Sequence, residues 1–137
     1  MMNKLDLVEL KYLSKAKEGM NASALADIID ISKFLNEPNG ITGMLFFDYG
    51  YFGQILEGNR SAIEETWSRI KKDNRHYKIE FLGITEIQDR RFPKWSMNLF
   101  DAKEFATAFP QFAELIKKMH DSDGENIRIL KLLWQKF

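Results

Sequence analysis

From Leu7 onward the apolar positions follow two rhythms, every second residue or every third and fourth, and the switches between them mark element boundaries. In LVELKYL, Val8, Leu10 and Tyr12 share one face while Glu9 and Lys11 share the other, which predicts a half-buried strand. A polar loop from Lys15 to Met20, containing Gly19, follows. Asn21 or Ser23 then caps a helix expected to reach about Leu35, with Leu25, Ile28, Ile29 and Leu35 as its apolar stripe. Pro38-Asn39-Gly40 ends it. GMLFFDYG and YFGQILE read as two strands reversing around Asp48-Tyr49-Gly50. Gly58-Asn59-Arg60-Ser61 opens a second helix to about Asp73, whose Ile63, Trp67 and Ile70 face the core. KIEFLGITEI is a fourth strand, and WSMNLF a short fifth after the turn at Arg91-Phe92-Pro93.

The order β-α-β-β-α-β-β is the split βαβ arrangement, an α+β ferredoxin-like sheet with two helices on one face. The opposite face of YFGQILE (Tyr51, Gly53, Ile55) and that expected of the fourth strand (Ile79, Phe81) are also apolar and need a cover. The last third supplies one. Phe105, Phe109, Phe112, Leu115 and Met119 form a helical stripe, with Pro110 starting a fresh segment. A turn at DSDG, residues 121–124, precedes a final helix marked by Ile127, Leu130 and Trp134. With no internal repeat and no long linker, the chain reads as one compact unit.

Within this pattern Gln54 stands out. Alternation puts it between Phe52 and Leu56 on one strand face, and burying an unpartnered amide costs on the order of 1–3 kcal/mol. In a split βαβ sheet the first and third strands lie side by side, so Tyr12 becomes its neighbour on the face under the two helices. A phenol and an amide each donate and accept. Asn36, at the end of the first helix, and Arg69 and Asp73, a turn apart on the second, reach the same layer. Taken singly, Asn36 reads equally as a helix C-cap, and Arg69 and Asp73 as a surface ion pair worth under about 1 kcal/mol. Together the five groups edge a slot suited to a planar polar heterocycle.

Composition narrows the chemistry. The chain has 137 residues, 45% hydrophobic and 29% charged, which fits one globular domain. Twenty basic and twenty acidic residues balance, leaving no general nucleic-acid surface. Absence of cysteine excludes disulfides, thiolate metal sites and cysteine nucleophiles. Two histidines, His76 and His120, are too few for a histidine-rich metal site. No apolar run approaches the ~20 residues of a membrane span, and charges interrupt the start, MMNKLDLVELKYL. A cytoplasmic protein is expected.

Four ordered segments carry a resemblance: YLS around Tyr12, NGITGMLFFDYGYFGQILEG, the helix end IKKDNRHY, and RRFPKWSM. In this order and at these intervals the chain resembles the BLUF domains, bacterial blue-light sensors that bind FAD, over about Leu7 to Phe100. The resemblance implies a photosensor domain at 1–100 and nothing beyond it; the helical pattern of the remainder reads as an extension at 101–137 packed on the same domain. It implies a flavin between the two helices, FAD in the first place, with FMN or riboflavin as alternatives.

Residue by residue, the resemblance makes Tyr12 the donor of an electron and a proton to the excited flavin, and Gln54 the bridge between that tyrosine and the ring. Asn36 would bond the pyrimidine edge, Arg69 the C2 carbonyl, with Asp73 in the same stretch, and Ile28 would pack on the ring. Trp95 and Met97, placed on the fifth strand, would exchange places or partners near Gln54 after light. The chain departs from the family at Leu35, where members often carry a second polar residue, so one bond to the pyrimidine edge is expected to be missing. A cyclic, non-enzymatic photoreceptor signalling to an unidentified protein partner is expected, without further output domain. A homo-oligomer is also expected, Trp134 and Phe137 offering a contact. The rivals are a small acylphosphatase-like enzyme on the same fold and a sheet that binds nucleic acid. The first lacks a phosphate-cradling loop, and the second conflicts with the neutral charge.

Overall fold

A computed structural model describes residues 6–119 and 123–137. Its first strand, β1 (Leu7–Ala16), leads to α1 (Ala22–Asn36), then a 3-10 turn at Glu37–Asn39, β2 (Thr42–Asp48), β3 (Tyr51–Asn59), α2 (Arg60–Lys72) and β4 (His76–Glu86). A short β5 (Asn98–Phe100) precedes α3 (Ala102–Ala108), a 3-10 turn at Pro110–Phe112, α4 (Ala113–Lys117) and α5 (Asp123–Lys136). The expected turn at 121–124 falls partly on residues outside those described, and Asp123 already belongs to α5.

Local signals set these boundaries. Asn21 caps α1 by accepting the Ala24 N–H at 2.9 Å, and Asn59 caps α2 through Ser61 N. Asp101 and Glu104 form a reciprocal capping box on α3. Tyr49 and Gly50 take φ of 53° and 80°, a two-residue reversal whose twist matches that of β2 and β3.

The five strands are ordered β4-β1-β3-β2-β5, all neighbours antiparallel except β2 with β5. β1 and β3 therefore sit centrally, and the register sets Tyr12 directly opposite Gln54. One core lies between the sheet and α1–α2, built on Val8, Leu10, Leu45, Phe52, Leu56, Ile63 and Met97. The second lies between the other sheet face and the C-terminal helices, built on Leu13, Met44, Phe46, Tyr51, Ile55, Phe105, Leu133 and Trp134.

The structure corrects three expectations. Ile79 and Phe81 are not on the C-terminal side. The β1–β4 register slips twice, with Lys78 at φ 50° and Gly83 at φ 119° on β4, so Ile79 joins the α1–α2 core and Phe81 meets Trp67. Leu82 takes the far face instead. β5 covers only Asn98–Phe100, so Trp95 and Met97 precede it. Trp134 is fully buried, and Phe137 packs on Phe92, Phe105, Phe109, Phe112 and Trp134, so the apolar surface offered for a subunit contact is used within the domain.

Candidate functional site

A cavity of about 260 Å³ opens between α1 and α2 over the centre of the sheet. Ile28, Ile31 and Leu35 of α1 and Ile70 of α2 form apolar walls, and Leu45, Phe52 and Leu56 an apolar floor. Tyr12, Gln54, Asn36, Ser32, Thr66, Arg69, Asp73, Arg75 and His76 bring polar atoms to the same space. Apolar walls with a few converging polar groups are the form of a small-molecule site.

The floor is a hydrogen-bonded pair. Tyr12 OH donates to Gln54 Oε1 at 2.5 Å, with both side chains buried. The direction follows from chemistry, since the amide oxygen only accepts. Gln54 Nε2 then faces Met97 Sδ at 3.5 Å, a weak acceptor. Burial pushes the Tyr12 phenol far above its usual range, and the nearby Asp73 carboxylate adds to the rise. The ring also lies 5.0 Å from that of Trp67.

Asn36 is the last residue of α1, and it does not serve as a C-cap. Its Nδ2 donates to Ser96 O at 2.8 Å, and no protein donor to its Oδ1 is found among the described residues. Arg69 and Asp73 do not pair with each other. Arg69 stays at the rim, donating to Thr66 Oγ1 and facing Glu65. Asp73 pairs with Arg75 through contacts of 2.5–3.1 Å and also accepts the Arg75 backbone N–H. That guanidinium holds the Asp73 carboxyl below its usual range.

Arg75 and His76 line the cavity although the sequence reading passed over them. The signal lay in the DNRHY run, where a carboxylate two residues before an arginine closes a local turn. His76 Nε2 meets the Ile70 carbonyl at 2.8 Å, so that nitrogen carries the proton, and Nδ1 meets Ser14 Oγ at 2.6 Å. Ser32, one turn before Asn36, also went unnoticed. Ile28, Leu35 and Met97 sit on the cavity side, and Trp95 does not. Its ring stacks on Phe92 at 5.1 Å within the opposite core.

These groups fit a flavin ring on their own chemistry. Asn36 Oδ1 and the second Gln54 Nε2 hydrogen offer an acceptor and a donor, while Ile28, Leu35 and Ile70 supply flat apolar contact.

Comparison with known proteins agrees. Residues 7–98 match the family model "BLUF: Sensors of blue-light using FAD". The solved structure of BlrB, a BLUF protein in its dark state, superposes with a TM-score of 0.74 at 31% identity, covering 93% of this chain and 96% of that one. The blue light- and temperature-regulated antirepressor BluF of Escherichia coli (strain K12) is 31% identical over 71% of this chain and 24% of its own length. Photoactivated adenylate cyclase subunit beta of Euglena gracilis is 29% identical over 85% of this chain, which spans only 14% of that subunit. Fold, cavity and sequence agree, and the chain belongs to the BLUF family, the sensors of blue-light using FAD.

Proposed function

We propose that the chain is a blue-light photoreceptor whose switch is the Tyr12–Gln54 pair under a bound flavin. The observation that carries the proposal is the 2.5 Å hydrogen bond from Tyr12 OH to Gln54 Oε1 on the floor of the cavity. When bound and excited by blue light, a flavin supplies a one-electron oxidant. Tyr12 gives up an electron, and its hydroxyl proton passes along the existing bond to Gln54. Both return, so no substrate is consumed. What stays changed is the amide, by rotation or by tautomerisation, and with it the Gln54 contact to Met97.

In this reading Asn36 and the Asp73–Arg75 pair hold the polar edge of the ring, Ile28 packs on its face, and Arg69 stands at the rim. Residues 1–100 form the photosensor, and the extension at 101–137 passes its state to a protein partner. FAD is the proposed flavin, with FMN and riboflavin distinguished by chromatography of the released chromophore. No observation favours the acylphosphatase-like enzyme, because Arg69 faces Glu65 and Thr66 instead of a phosphate-cradling loop.

Absorption spectroscopy tests the proposal. Purified protein is expected to be yellow, with a flavin band that moves to the red under blue light and recovers in the dark. Colourless protein that cannot be reconstituted with flavin would overturn it.

A further inference from the structure

The two sides of the sheet are joined at one buried contact. Trp134, on α5, donates its indole Nε1–H to the backbone carbonyl of Gln54 at 3.2 Å. A buried indole N–H ordinarily has a partner, and here the partner belongs to the residue whose side chain lies on the cavity floor. The ring reaches it because position 53 is glycine. A Cβ there would come within 2.8 Å of Trp134 Cζ2.

The main chain of Trp134 is held as well. Lys11 Nζ donates to Trp134 O at 3.0 Å, and Lys11 directly precedes Tyr12. Beside it, Arg91 pairs with Glu9 at 2.7 Å and donates to Phe137 O. Cations on the last carbonyls of a helix complement its dipole. The end of α5 is therefore gripped at Gln54 and at the neighbour of Tyr12, without passing through β5.

We infer that Trp134 is a positioning residue that reads the backbone at Gln54 and carries the change there into α5. The inference rests on the photoreceptor reading above. A change at the Gln54 amide that displaces its backbone carbonyl displaces the indole bonded to it. Lys11 sets the helix end against which the movement acts.

The test is nitrogen-15 NMR of flavin-loaded protein, dark and under blue light, with the flavin band recorded on the same sample. Three tryptophans give three indole resonances, and Trp134→Phe identifies the relevant one. The expected result is a light-induced displacement of the Trp134 Nε1–H resonance that is lost in Gln54→Leu. A shifted flavin band with an unmoved Trp134 resonance would overturn the inference and leave the photoreceptor standing. No band shift would remove both.

Amide hydrogen exchange gives a second readout. Trp134→Phe keeps a ring over Gly53 without the donor, and Lys11→Met removes the grip on Trp134 O. In both, the flavin band is expected to shift normally while the light-induced exchange change in α5 is lost. An α5 response retained in Trp134→Phe would overturn the inference. Should that variant fail to fold, Trp67→Phe and Trp95→Phe assign the other two resonances, and the remaining wild-type resonance still decides.

Discussion

Glu57 Oε1 accepts the backbone N–H of Phe92 at 3.0 Å, so a carboxylate on β3 fixes the chain that leads to Trp95 and Met97. Its Oε2 accepts the Arg91 N–H at 2.7 Å, and the side chain is completely buried. Substitution Glu57→Gln puts an amide donor against one of these donors and leaves a buried N–H unsatisfied. The expected loss of stability is about 1–3 kcal/mol. Urea unfolding checks this, through a lowered midpoint at unchanged slope.

Tyr12→Phe removes the one hydroxyl in contact with Gln54 Oε1. Flavin is expected to stay bound, because the cavity walls are untouched, while the red-shifted state disappears. A normal photocycle in this variant would sink the tyrosine mechanism. Equilibrium unfolding should also show a cost of about 1–3 kcal/mol from the stranded amide oxygen.

Gln54→Leu keeps the volume and removes both amide contacts. The light-induced shift is expected to vanish, and a full shift retained in this variant would show that the switch lies elsewhere. In the dark its flavin spectrum should differ from wild type, since the ring loses a donor in the cavity floor.

Met97 and Trp95 should separate in their effects. Met97 Sδ lies against Gln54 Nε2, whereas the Trp95 ring stacks on Phe92 in the opposite core. Met97→Ala is expected to alter the position of the flavin band or the rate of dark recovery. Trp95→Phe should leave both close to wild type and act mainly on thermal stability. A lost red shift in Trp95→Phe alone would contradict this assignment.

The Asp73 carboxyl is held below its ordinary value of 3.8, chiefly by hydrogen bonds from Arg75. A depressed folded pKa contributes stability that is present above the unfolded value and lost as pH falls through the folded one. Wild type should therefore be more stable than Asp73→Asn above pH about 4. The difference should shrink as the pH is lowered further. Thermal unfolding of both proteins across acid pH reads this directly. Tyr12, pushed upward by burial, should keep its proton throughout that range.

How much was legible in the sequence depended on how local the cause was. Tyr12 beside Gln54 followed from period-two alternation and strand order, because an antiparallel register fixes whole faces at once. Ile79 and Phe81 went to the wrong face because two bulges reset that parity, and alternation carries no warning of a bulge. The Arg69–Asp73 pairing failed for a different reason. Helical spacing made them neighbours, but α2 ends at Lys72, so Asp73 leaves the helix and turns to Arg75. The Glu57 anchor was invisible, since its partners are backbone N–H groups some 35 positions away.

The same two bulges have a consequence for how the molecule behaves in company. β4 forms one border of the sheet, and a straight border strand invites another chain to continue the ladder. Here Lys78 and Gly83 throw its backbone out of step, while β5 at the other border is only three residues long. Neither side offers a long regular template for strand addition. The sheet borders are thereby poor starting points for growth into polymers.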